Sequence, residues 1–125
     1  MSRAKNKTIL VVDDEPETAQ MVALLLDVHG YTTIKAHGSA KAMSAVSQGN
    51  IDAVILDVML PDVSGLEFCR YVRRDPSLMH IPIVIVSARS REEDIRAGYD
   101  AGATEYLTKP WSKEQLLGVL QKVLG

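Results

Sequence analysis

Short aliphatic runs alternate along the chain with longer stretches whose apolar positions recur every three or four residues. That alternation predicts βαβ units and a parallel sheet. The first run, Ile9 to Val12, stops at Asp13 and Asp14. Glu15-Pro16 then opens a helix, with proline where its missing N–H costs nothing. Met21, Leu24, Leu25 and Val28 form the expected apolar stripe of that helix, and Gly30 ends it. Tyr31 to Ala36 reads as a second strand. Ser39 is expected to cap a helix that buries Ala42, Met43 and Val46 and stops near Gly49.

The third run, Ala53 to Leu56, ends at Asp57. The loop Pro61-Asp-Val-Ser-Gly65 follows and leads to a helix, with Ser64 and Glu67 spaced as a capping box. Leu66, Phe68, Cys69 and Val72 give this helix a broad apolar side. The fourth run, Ile81 to Val86, ends at Ser87. Ser90 and Glu93 repeat the capping-box spacing before a helix that reaches about Ala101. Glu105-Tyr-Leu-Thr108 is a short fifth strand, stopped by Lys109-Pro110. Ser112 and Gln115 repeat the box once more, ahead of a helix with the stripe Leu116, Leu117, Leu120 and Val123.

Burial orders the strands. The first, third and fourth are nearly all aliphatic, as interior strands covered on both faces should be. The second and fifth are mixed, which suits edges. Short right-handed crossovers then favour the order 2-1-3-4-5, a doubly wound α/β domain with a five-stranded parallel sheet flanked by five helices. Winding reverses between the first and third strands, so the crevice opens between Asp13/Asp14 and Asp57. The carboxyl ends of parallel strands share one edge, which directs three acids, Ser87 and Lys109 to one place.

Composition narrows the class. A chain of 125 residues fits one domain, 1–125, with residues 1–7 as a short basic tail. A net charge of -2 argues against nucleic acid or a membrane surface as the main partner. Cys69 stands alone, so an internal disulfide is excluded, which suits a reducing cytoplasm. No apolar run approaches membrane-spanning length, and nothing resembles a signal-peptide core.

Three carboxylates together repel unless protons or a cation intervene. No His or Cys adjoins them in sequence, so a soft-ligand zinc site is disfavoured. An all-oxygen set suits Mg2+, with Mn2+ as a substitute, and such ions often bridge to phosphate. A carboxylate can also act as a nucleophile, forming an aspartyl phosphate.

These residues, in this order and at strand ends, resemble the response-regulator receiver domains of two-component signalling, whose sheet is flavodoxin-like. The resemblance rests on Asp13-Asp14, on Asp57 in Leu-Asp-Val-Met-Leu-Pro-Asp-Val-Ser-Gly, on Ser87-Ala88 and on Lys109-Pro110. It implies that Asp57 accepts phosphate from a phosphohistidine of a sensor kinase or phosphotransfer protein. It implies Mg2+ on Asp14, Asp57 and the Met59 carbonyl, with Asp13 acting through bound water. Ser87 and Lys109 would hold the phosphoryl group, and the Lys109–Pro110 bond would be cis. Ser87 and Tyr106 would form the switch, read out on the surface of the fourth helix, fifth strand and fifth helix by a downstream protein. Gly98 and few large apolar residues mark that fourth helix as weakly packed. A phosphorylation-linked dimer fits the same scheme, and neither nucleic acid nor membrane is a direct partner.

The implied protein is a regulator that catalyses only its own phosphorylation and dephosphorylation. Met59 and Arg89 border the path of attacking water and lack a carboxamide or carboxylate to orient it, so slow self-dephosphorylation is expected. Two rivals are weaker. An aspartyl phosphohydrolase would show Asp-x-Asp, whereas Asp57 is followed by Val58-Met59. A constitutive module of the same fold would have lost an acid or the lysine, and this chain keeps all of them.

Overall fold

The computed structural model describes residues 7–58 and 64–125. Residues 1–6 of the expected tail and 59–63, with the Met59 carbonyl, lie outside the described residues. The elements follow the predicted alternation: β1 (Thr8–Val12), α1 (Pro16–Val28), β2 (Thr32–Ala36), α2 (Ser39–Gln48), β3 (Ala53–Leu56), α3 (Gly65–Arg74), β4 (Ile83–Ser87), α4 (Glu92–Ala101), β5 (Glu105–Thr108) and α5 (Lys113–Leu124). All pairings are parallel and the order is β2-β1-β3-β4-β5.

Side chains alternate across a strand, so a sheet covered on both faces sorts its aliphatics into two cores. Leu10, Val12, Val54, Leu56, Ile83 and Ile85 face α2, α3 and α4, where Phe68, Cys69 and Val72 are fully buried. Ile9, Val11, Ile55, Val84 and Val86 face α1 and α5, against Leu26, Leu116 and Leu120. Every residue of β1 but Thr8, and every residue of β3 and β4, is buried, while β2 and β5 are the edges.

The stripe expected on α1 is corrected. Its core face is Ala19, Val22, Ala23 and Leu26, whereas Met21, Leu24 and Val28 are 56%, 53% and 80% exposed and Leu25 is half-buried. The helix carries two overlapping apolar stripes of the same period, and hydrophobicity alone favours the larger side chains. Packing favours the one with two alanines, which brings the helix axis close to the sheet.

Helix starts are corrected as well. Ser39 is the first residue of α2 and is buried, with Gly38 before it. The Ser64 hydroxyl accepts from the Leu66 amide, 3.1 Å, yet Glu67 pairs with Arg70 instead of returning to the cap. No side chain caps α4, which begins at Glu92 rather than Ser90. Glu92, Glu93 and Asp94 in its first turn complement the positive end of the helix instead. Among the described residues only α5 has the full box, Gln115 N–H to Ser112 Oγ at 3.1 Å and Ser112 N–H to Gln115 Oε1 at 2.7 Å.

Candidate functional site

Hydrogen bonding along the carboxyl edge of the sheet sets the site. The Asp57 amide donates to the Val12 carbonyl at 2.9 Å, which fixes the end of β3 beside the end of β1. The Lys109 amide donates to the Ser87 carbonyl at 2.8 Å, extending the β4–β5 ladder past the Ser87–Thr108 pair. Lys109 is followed by a cis peptide bond to Pro110.

One carboxylate oxygen from each of Asp13, Asp14 and Asp57 lies within 4.8 Å of the others. Asp13 and Asp57 are buried, and Asp14 is exposed at the mouth. Lys109 Nζ donates to Asp57 Oδ2 at 3.2 Å across the crevice. Asp13 is held by its neighbours on both sides. Its Oδ1 accepts from the Glu15 amide at 2.9 Å, and its carbonyl lies 3.0 Å from His37 Nδ1, which must carry the proton because a carbonyl only accepts. Burial raises the Asp13 carboxyl above the usual carboxylate range, and the charges of Asp57 and Asp14 add to this. The Glu15 amide and Lys109 oppose it.

The donor set is therefore oxygen only, crowded, and partly neutralised by one ammonium. A hard divalent cation fits it: three acid oxygens within reach of one ion, one of them open to water.

Ser87 is buried at the end of β4, and its Oγ accepts from the Arg89 amide at 3.1 Å. The Tyr106 hydroxyl donates to the Arg89 carbonyl at 2.8 Å. Thus Ser87, Arg89 and Tyr106 form one hydrogen-bonded chain from the crevice to the edge strand. Trp111 packs, half-buried, against the α1–α5 core.

The predicted residues Asp13, Asp14, Asp57 and Lys109 are brought together, with Ser87 at the adjoining strand end. The spatial roles of three others had not been legible. Gly65 opens α3 so close to β3's extension that a Cβ would lie 2.6 Å from Val58 Cα and 2.9 Å from the Asp57 carbonyl. Gly98, expected to mark loose packing, is buried against Tyr106. Arg73, at the end of α3, donates to the carbonyls of Gly102, Met79 and Ile81. The signal for Gly65 was its place in the Asp57 motif; Gly98 and Arg73 offered none beyond a glycine inside a helix and one arginine of a pair.

Residues 9–121 match the family model of the response regulator receiver domain. The phosphate regulon transcriptional regulatory protein PhoB of Pseudomonas aeruginosa is 37% identical over 118 residues, 94% of this chain and 52% of that protein. The chain spans about half the length of the curated relatives it matches. Chemotaxis response regulator CheY4 of Vibrio cholerae has the same fold, with TM-score 0.88 at 32% identity, covering 94% of this chain and 98% of that one. The receiver domain of Francisella response regulator 1452 matches with TM-score 0.88 at 27% identity, covering 95% and 97%. The chain belongs to the response regulator receiver domains of two-component signalling.

Proposed function

We propose that Asp57 is the phosphoacceptor of a two-component relay, and that residues 1–125 act as its receiver in the cytoplasm. The observation that carries this is Lys109 Nζ at 3.2 Å from Asp57 Oδ2, beside an acid cluster built only of oxygen donors. An Asp57 oxygen bonds to phosphorus as the donor's P–N bond breaks, and the imidazole leaves with the electron pair and takes up a proton. Asp14, Asp57 and the Met59 carbonyl would hold Mg2+, with Asp13 through water, and the ion would neutralise charge on the phosphoryl oxygens. Lys109 and the Ser87 hydroxyl contact the remaining oxygens, so catalysis is positioning and charge neutralisation.

The donor is a phosphohistidine of a sensor kinase or phosphotransfer protein. Met21 and Leu24, exposed on the helix that leaves the acid cluster, give a protein donor apolar surface to rest on. The readout is a change in the surface of α4, β5 and α5. Phosphorylation adds roughly -1.5 to -2 charge. Ser87 Oγ turns toward it, the Arg89 amide loses its acceptor, and Tyr106 follows through its bond to the Arg89 carbonyl. A downstream protein reads that surface.

The test is incubation with Mg2+ and acetyl phosphate or phosphoramidate, followed by intact mass. A phosphate-sized increase in wild type that is absent in Asp57→Ala is expected. No increase in wild type, or an equal increase in Asp57→Ala, would overturn the assignment.

A further inference from the structure

Gly98 lies inside α4, in helical backbone that an alanine could adopt. A glycine there disfavours folding roughly fivefold relative to alanine. Space, rather than conformation, accounts for it. A Cβ at Gly98 would stand 2.8 Å from Tyr106 Cδ2, 3.0 Å from its Cε2 and 3.1 Å from Ile85 Cδ1. The ring has little freedom to yield. Its backbone end is pinned by the pairing of Tyr106 with Ile85, and its hydroxyl is tied to the Arg89 carbonyl at 2.8 Å. A ring pushed aside would lose that bond, and a ring that stayed would lift α4 off β4.

We propose that Gly98 is the positioning residue of the switch. Its missing side chain is the seat on which the Tyr106 ring rests while the hydroxyl holds the Arg89 carbonyl. Ser87 Oγ accepts from the amide of that same Arg89, so the seat joins the crevice to the body of α4 through one residue. The seat itself is a packing statement. Its coupling to signalling rests on the reading of Asp57 as the phosphoacceptor and of Ser87 as a phosphoryl contact.

Two measurements separate these parts. The first is a urea-unfolding cycle on wild type, Gly98→Ala, Tyr106→Ala and the double variant. Gly98→Ala should lower the midpoint when Tyr106 is present. In the Tyr106→Ala background it should instead raise the folding equilibrium constant, by roughly fivefold from helix propensity alone. Equal stabilisation in both backgrounds would overturn the seat.

The second measurement is amide chemical shifts with and without beryllofluoride and Mg2+, a phosphoryl mimic at an aspartate. Wild type should shift around Asp57 and along α4. Gly98→Ala should keep the shifts around Asp57 and lose those along α4, a separation that general destabilisation would not produce. Full transmission to α4 in Gly98→Ala would overturn the coupling. A wild type with no change around Asp57 would overturn the phosphoacceptor reading and the coupling with it, while the urea cycle would still report the seat.

Discussion

Replacing Arg73 by methionine removes a guanidinium that ties the end of α3 to two other stretches of chain, 79–81 and 102–104. Nε donates to the Gly102 carbonyl at 2.8 Å, and Nη1 donates to the carbonyls of Ile81 at 2.8 Å and Met79 at 3.0 Å. Nη2 reaches Thr104 Oγ1 at 3.3 Å, and Thr104 Oγ1 in turn accepts from the Ile83 amide. The end of α3 is thereby joined to the entry of β4, the end of α4 and the entry of β5. Methionine keeps the stem that lies over Gly102, where a Cβ would come within 2.5 Å of Arg73 Cγ.

The bonds to Gly102 and Ile81 are part-buried and the other two are exposed. A charged donor contributes about 1.5–3 kcal/mol per bond, so the buried pair accounts for about 3–6 kcal/mol, and the exposed pair for little. Burial of the guanidinium works the other way, and it pulls the Arg73 pKa below its ordinary value. A net loss of about 3 kcal/mol is expected, near 10 °C in Tm, which leaves a domain of ordinary stability folded. Urea unfolding followed by circular dichroism measures it, with the denaturant slope unchanged if only stability has moved. Lysine should rescue little, because one ammonium lacks the fork that spans the separated carbonyls. A loss below about 1 kcal/mol for Arg73→Met, or full rescue by Arg73→Lys, would refute the hub.

Burial pushes the Cys69 thiol up to about 12, against the opposing charges of Arg73 and Arg70. The native state thus keeps a proton that the unfolded chain releases above about pH 8.5. The stability this contributes is complete below that pH and declines as pH rises toward the folded value, by about 1.4 kcal/mol per unit. Urea midpoints between about pH 8.5 and 10 should therefore fall more steeply in the parent than in Cys69→Ala, and parallel slopes would contradict it. With Asp57 as the phosphoacceptor, its phosphoryl group should decay slowly, because Met59 and Arg89 carry no carboxamide or carboxylate to orient a water. Met59→Asn combined with Arg89→Glu should hasten decay by at least about tenfold, read as loss of the phosphorylated mass with time. A double variant decaying at the parent's rate would count against that account.

The crevice was legible because each of its residues ends an apolar run. A buried strand must be aliphatic, so the polar residue that stops it is placed by the strand rather than by any remote partner. Asp57 after Ala53–Leu56 and Ser87 at the end of β4 are located by that logic alone. Where two local solutions tie, the sequence is silent. The two stripes of α1 share one period, and the alanine-bearing one won through contact with a sheet that the helix itself cannot reveal. Ser90 satisfied a spacing rule, but three acids in the next turn served the helix start as well. Arg73 and Gly98 were hidden for another reason. Their partners lie 29 residues away at Gly102 and on the neighbouring strand at Tyr106, so their meaning exists only once the chain has folded.

That hidden part makes α4 unequal at its two ends. At the far end Gly102 takes a left-handed φ of 115°, its amide donates to Tyr99, and Ala103 donates to Gly98, closing the last turn. Arg73 then fastens the Gly102 carbonyl to α3. At the near end no side chain caps the helix, and Asp94 holds Arg91 at 3.6 Å and Arg89 at 3.9 Å. Pairs whose arginine is exposed, as in both of these, are worth about 1 kcal/mol each, below the Arg73 bonds at the other end. The near end is the one that adjoins Ser87 and Arg89. With Asp57 as the phosphoacceptor, displacement would enter beside Ser87 and Arg89 and meet Gly102, which Arg73 holds. A helix so held would tilt rather than slide, and Tyr106 on Gly98 sits between the two ends, where a tilt would change the exposed face of α4 relative to β5.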